Sequence, residues 1–326
     1  MKNFGNKPTL IITYLRPLGV KDILNTLEKQ GPRLIYIAID GPKNFEDERT
    51  QQKYNKIINS FTKNGILTFK IWHRSANLGI GASIISAIDW FFSNEASGII
   101  IEDDLIISKD FLKFVEAGLD FFARDNNVFL ISGSQFDSDL EDVTSLFWTN
   151  YPIIWGWGTW DIKWKEMRKL ILKKKRIFPL IYFPSVNFFR IGALRTLNGL
   201  IDTWDLPLAF EMRKKGAHCV LPPVNLVSNV GTDNLAEHTK KVEHPLHLPI
   251  RRLDQGLCWN YNGRSQKARR INRSLEKKVF KIKRKHIFLP LYAYIQDSKN
   301  KKKTGKEIKL LNKLQLITIP SPSKIL

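Results

Sequence analysis

The chain has 326 residues, 43% of them hydrophobic, with nine Trp and a formal net charge of +21. This length and composition fit one large or two ordinary globular domains with an ample core and exclude a disordered polymer. Two cysteines, Cys219 and Cys258, are too few for a disulfide framework or a cysteine metal site, no apolar run reaches about 18 residues, and the apolar stretch before Tyr14 is too short for a secretory leader, so a soluble, cytoplasmic protein is expected.

In chain order, residues 8–14 (PTLIITY) read as a first strand and 20–30 as a helix stopped by Gly31-Pro32. RLIYIAID follows as a second strand that ends in the turn DGPKN. Residues 46–64 form a charged amphipathic helix, LTFKIWH a third strand and 79–93 a helix with apolar residues at helical intervals. SGIIIEDD is the fourth strand, 108–124 a helix and NVFLISG a fifth strand. Strands alternating with helices of this length predict a mostly parallel, doubly wound α/β sheet, and their continuous apolar runs predict a sheet covered on both faces. Past residue 140 the regularity fades into aromatic clusters and turns. The chain divides into an α/β core at 1–140, a second half of the same domain at 141–263 and a basic extension at 264–326. Residues 264–313 hold eighteen Lys and Arg against Glu276, Asp297 and Glu307. Such a segment is either simply solvated or faces an anionic partner, a membrane surface before a nucleic acid, since no nucleic-acid motif accompanies it.

The most informative stretch is GIIIEDDL at 98–105, a core strand closed by Glu102, Asp103 and Asp104. Adjacent carboxylates persist cheaply only when solvated or gathered around a cation. Open α/β sheets bind ligands outside the carboxyl ends of their strands, where Asp40, His73 and the Asn77-Leu78-Gly79 turn also fall. If the extended backbone continues, Glu102 and Asp104 share one side and Asp103 faces the other. Oxygen ligands of this kind suit Mg2+ or Mn2+ shared with diphosphate oxygens.

The acidic strand end resembles the metal-binding motif of GT-A glycosyltransferases, and the chain is similar to bacterial nucleotide-diphospho-sugar transferases related to N-acetylglucosaminyltransferase I. Seven segments carry the resemblance in order: TYLRP (13–17), IDGP (39–42), HRSANLGIGASI (73–84), GIIIEDDL (98–105), YPIIWGWGTW (151–160), IDTWDLPLAF (201–210) and PPVNLVSNVGTDNLAEHT (222–239). It implies a GT-A fold over about residues 8–240, with a nucleotide-sugar donor and a glycan or lipid-linked acceptor of a bacterial surface pathway. Thr13, Arg16 and Asp40 would line the nucleotide pocket, Asn77 and Gly79 would shape a loop near the phosphates, and Arg74 would offset phosphate charge. Asp104 would hold the cation, with Asp103 or Glu102 touching ribose or a metal-bound water, and His238 completing the shell or binding diphosphate. An aspartate of DTWD would be the general base of an inverting transfer; Asp202 is favoured over Asp205, although Asp202 also reads as a helix N-cap.

Trp155, Trp157 and Trp160, with Gly156 and Gly158 between them, read either as a core wedge or as a platform for an acceptor sugar. Residues 171–190 mix cations with aromatics in a way that suits a lipid headgroup layer. Two rival readings are a nucleotidyltransferase making nucleotide sugars, which would carry a Gly-rich basic loop beside the first strand, and a nucleic-acid-binding protein using the basic extension.

Overall fold

The computed structural model describes residues 6–136, 145–173, 183–231, 249–253, 257, 259, 264–288, 314 and 317. Six elements alternate at its start: β1 (Thr9–Thr13), α1 (Pro17–Glu28), β2 (Arg33–Ile39), α2 (Phe45–Thr62), β3 (Leu67–His73) and α3 (Ile80–Phe92). They are followed by β4 (Ser97–Glu102), β5 (Leu105–Ile107), α4 (Lys109–Phe121) and β6 (Val128–Ser132). The helix starts have local causes. Pro17 occupies the first turn of α1, which therefore begins three residues before the apolar periodicity does. Asn44 accepts from the Asp47 amide ahead of three acidic residues in α2, and Ser108 accepts from the Phe111 amide to start α4.

The second half adds β7 (Phe147–Thr149), β8 (Trp157–Trp160), α5 (Asp161–Leu172), α6 (Pro184–Leu197) and α7 (Asp205–Lys215). β9 (His218–Leu221), β10 (Val227–Asn229) and α8 (Arg264–Ser274) complete it. Eight strands form one sheet in the order β3-β2-β1-β4-β8-β6-β9-β7, so the second half extends the first sheet instead of building its own. β3, β2, β1 and β4 run parallel, β8 and β7 run against their neighbours, and β6 and β9 return to the common direction. The mostly parallel α/β sheet expected from the sequence is present. β5 and β10 pair separately as a two-stranded ribbon beside the carboxyl end of β4.

Alternation along the strands divides the core. Leu10, Tyr36, Ala38 and Ile100 pack with α3, Trp157, Trp164 and α7 on one face, and Ile11, Ile37, Ile99 and Ile101 pack with α1, α2 and α4 on the other. Strand order reverses between β1 and β4, and their register (Ile12 beside Glu102, Thr13 beside Ile39) brings the ends of β1, β2 and β4 to one level. That switch point is where an α/β sheet opens a ligand crevice.

Candidate active site at the carboxyl rim

The rim is knit together by side chains of the predicted motifs. Thr13 donates its hydroxyl to Asp103 Oδ2 at 2.6 Å, and the Tyr14 amide donates to the same oxygen at 3.1 Å. Because Thr13 has a single proton, its 2.6 Å contact with Tyr54 Oη makes Tyr54 the donor there. Asp103 thus ties the end of β1 to the end of β4. Its carboxyl is pushed up to about 6, first by burial, with Asp104 adding to the rise and Thr13, the Tyr14 amide and Arg16 opposing it. The first turn of α1 passes directly beneath: a Cβ on Gly19 would lie 2.0 Å from the Asp103 carbonyl oxygen.

β4 ends at Glu102, and Asp103 and Asp104 form the turn into β5, so the alternation expected of an extended backbone stops at Glu102. Burial, then the charges of Asp104, Asp103 and Asp205, push the Glu102 carboxyl well above the usual carboxylate range. Asp104 Oδ2 accepts from Asn229 Nδ2 at 3.1 Å, and its carbonyl accepts from the Val230 amide at 2.9 Å. A Cβ on Gly231 would stand 2.3 Å from Asp104 Oδ2, so a larger residue here would have to push the Asp104 carboxylate aside. The β5–β10 ribbon therefore delivers the Ser228–Gly231 segment to the acidic corner. Asn229 and Gly231 belong to a quoted motif but received no role from sequence reasoning; only the ribbon reveals one. His238 and Thr232 lie outside the described residues.

Asp40 organises the neighbouring loop. It is buried, and its carboxylate accepts from Asn77 Nδ2 at 3.0 Å and from the Leu78 amide at 3.1 Å. Asn77 in turn accepts from the Gly79 amide at 3.1 Å, and Gly79 adopts a φ of 77° as it turns into α3. Burial raises the Asp40 carboxyl, opposed by the Arg74 charge and by loop amides. Arg74 is placed differently from the phosphate-facing role expected. Its guanidinium is buried, donates to the Ser83 hydroxyl and carbonyl and to Ser86 Oγ of α3, and stacks 4.1 Å from the Trp72 ring centroid. The charge helps to hold Asp40 and α3 from inside, and burial lowers its pKa to about 10.

The DTWD motif meets this rim from the second half. Trp204 is buried and stacks on Trp157 at 6.0 Å, with Trp164 edge-on at 6.1 Å. That anchorage sets the two aspartates in different places. Asp202 does not cap its own helix; the N-cap of α7 is Trp204. Its carboxylate instead receives the Ile80 and Gly81 amides at 3.0 and 2.9 Å, closing the N-terminus of α3 from 122 residues away. Asp205 opens α7, accepts from the Thr203 hydroxyl and contributes to the negative field on Glu102.

The tryptophan platform is corrected in two of its three members. Trp157 is 1% exposed, inside the core, so it offers no face to a sugar. Trp160 pairs with Ser97 at the opposite, amino-terminal end of β4, and its indole donates to the Leu119 carbonyl. Alternation along β8 and its antiparallel run explain both placements. Trp155, partly buried and edge-on to Phe136, is the member nearest the carboxyl rim.

By its chemistry the corner fits a hard divalent cation, since Glu102, Asp103, Asp104 and Asp205 set oxygen donors and an excess of negative charge within electrostatic reach of one another. Among the described residues, no three Asp, Glu, His or Cys side chains form a set that would hold a metal ion alone. Among the described residues no helix is long and apolar enough to cross a membrane.

Fold and site define a doubly wound α/β protein with an acidic corner at the switch point of its sheet. Neither protein-family models nor curated proteins match the chain. Among solved structures, a UDP-glucose pyrophosphorylase complexed with UDP-glucose aligns over 66% of this chain and 90% of that one, at 8% identity and a TM-score of 0.34. A likeness that loose carries no argument about this chain.

Proposed function

We propose that the chain is a glycosyltransferase that moves a sugar from a nucleotide-diphosphate donor to a hydroxyl acceptor, with inversion, in the crevice between β1 and β4. One observation carries this reading: Glu102 at the switch point of the sheet feels the charges of three further carboxylates, Asp103, Asp104 and Asp205, in a chain of net charge +21. A Mn2+ or Mg2+ ion bound there supplies Lewis-acid neutralisation of the leaving diphosphate. Asp104, held from behind by Asn229, and Glu102 are the side chains that would hold it. Asp103 keeps β1 and β4 in register beneath them. Thr13 and Arg16 border the nucleotide side, and Asp40 shapes the Asn77–Gly79 loop over it.

Asp205 is the preferred base. As the acceptor oxygen attacks the anomeric carbon, the new C–O bond forms, the bond to the diphosphate oxygen breaks and the acceptor proton passes to Asp205. Two helix amides already occupy the carboxylate of Asp202, which makes it a positioning residue for α3 instead. Trp155 is left as the aromatic on the acceptor side.

The reading is tested with a panel of nucleotide sugars and Mn2+, scoring thermal stabilisation and release of nucleoside diphosphate. At least one donor should stabilise the wild type and be slowly hydrolysed, and Asp104→Ala should lose both signals. No stabilising donor, or formation of nucleoside triphosphate from nucleotide sugar and pyrophosphate, would overturn it.

A further inference from the structure

A cavity of about 470 Å3 lies away from the acidic corner, between the N-terminus of α6, the last turn of α7, and α8 with the segment that follows it. Six cations line it: Arg213, Arg269, Arg273, Lys277, Lys283 and Arg284. One carboxylate, Glu276, faces them, and it is engaged already, accepting from Tyr151 Oη at 2.6 Å and from Arg213 Nη2 at 2.7 Å. The other five cations are exposed, and no carboxylate of the described residues forms an ion pair with them.

The helix that opens onto this cavity adds to the imbalance. α6 has fourteen residues, no acidic residue in its first turn and no side-chain cap, and Phe183, Pro184 and Ser185 at its start are part of the cavity wall. Its amide end therefore contributes positive potential without a neutralising group of its own.

The basic wall is also built, not trailing. Asn272 of α8 accepts from the Thr149 hydroxyl and the Asn150 amide at 2.7 and 2.9 Å and donates to Asn150 Oδ1 at 2.8 Å. Ala268, Ile271 and Leu275 are buried in the core, and Asn187 donates to the Ile287 carbonyl at 3.0 Å. A merely solvated basic segment spreads its charges over a convex surface, whereas this one concentrates them around a concavity, where a counter-anion gains from all of them. Four of the six are arginines, whose planar forks match phosphate oxygens pairwise. Six cations against one carboxylate around a single half-open depression match the charge of one or two phosphate groups.

We propose that this cavity binds a phosphate-bearing anion of high charge density, a phosphomonoester or diphosphate group carried by a soluble molecule or by a lipid headgroup. Asp205 and Arg213 lie at opposite ends of α7, about 12 Å apart along its axis at 1.5 Å per residue, so the site stands independently of the transferase reading.

The test uses the full chain in EDTA at physiological salt, where the acidic corner repels anions. Inorganic pyrophosphate is titrated calorimetrically against the wild type, Arg269→Gln/Arg273→Gln, and Lys53→Gln/Lys56→Gln, which removes the same charge from an exposed face of α2. The wild type and the α2 variant should bind alike, and the cavity variant at least about tenfold more weakly, the usual effect of losing a hydrogen bond to a charged group. No binding by the wild type, or equal weakening in both variants, overturns the proposal. Flotation with phosphatidylcholine vesicles, with and without phosphatidic acid, identifies the source. Capture by the acidic vesicles that pyrophosphate reverses indicates a headgroup, and pyrophosphate binding without capture indicates a soluble anion.

Discussion

The acidic corner and the basic cavity break local charge balance in opposite senses and by different means. In the corner, short carboxylates are held at and just past the end of β4, and burial first, with mutual repulsion second, raises the Glu102 and Asp103 carboxyls. In the cavity, long Arg and Lys side chains stand on helices and keep their charged ends in water, where repulsion is screened. Charge loss without ligand therefore perturbs the fold at the corner, whereas at the cavity it leaves the fold nearly unchanged.

The sharpest way to break this contrast is at the base. Asp205→Asn should lower transfer by about 10²–10⁴, the usual contribution of a general base, while leaving donor-induced thermal stabilisation near the wild-type value. Asp202→Asn should instead act through α3, and its residual rate should track its loss of stability; if Asp202→Asn loses the rate with the fold intact, the two roles are reversed. Next in size is the aromatic anchor beneath the corner. Trp204→Ala should cost about 3–5 kcal/mol in urea unfolding, as core Trp truncations do. Arg273→Ala at the cavity should stay within about 0.5 kcal/mol, as exposed changes usually do. Equal losses at the two positions would erase the distinction between them.

Gly231→Ala tests the backing of Asp104. The new methyl meets Asp104 Oδ2, so about 1–3 kcal/mol of overpacking is expected, with a weaker Mn2+-dependent response to donor. A test of the same corner that leaves every contact in place is in pH. Burial raises the Asp103 carboxyl from 3.8 to about 6, so the folded protein keeps a proton that the unfolded chain has released. Its favourable contribution is present at and below the unfolded value and is lost as pH rises through about 6. In EDTA the melting temperature of the wild type relative to Asp103→Asn should therefore fall between about pH 4 and pH 7, and Mn2+ should restore part of it at neutral pH. A pH-independent difference would detach Asp103 from this account.

Much of the first half was legible because its signals are local. Ile99–Ile101 and Ile35–Ile39 are continuous apolar runs, and the acids and turns at their ends sit where a doubly wound sheet opens. The second half was hidden by short strands whose partners are remote. Trp157–Trp160 has four residues and slots between β4 and β6, and Phe147–Thr149 has three and pairs with β9. The site divides in the same way. Asp40, Asn77 and the acidic triplet could be picked out by residue type and position, but the inward turn of Arg74, the far placement of Trp160 and the α3 contact of Asp202 could not. The Lys- and Arg-rich run after 264 was legible as charge, while its attachment through Asn272 and its curvature around a cavity were not.

By itself, the sequence determined the layering of this protein, the direction of its first strands and the presence of a concentrated negative charge at the end of one of them. Those properties depend on residue type and on spacings of two to four positions, which act within a single element. Only the tertiary structure decided which carboxylate ties β1 to β4, which one closes a helix from 122 residues away, and that scattered cations meet around one cavity. Each of these depends on distance and burial between segments far apart in the chain, and hydrogen bonds and charges respond to that spatial separation, whatever the separation in sequence.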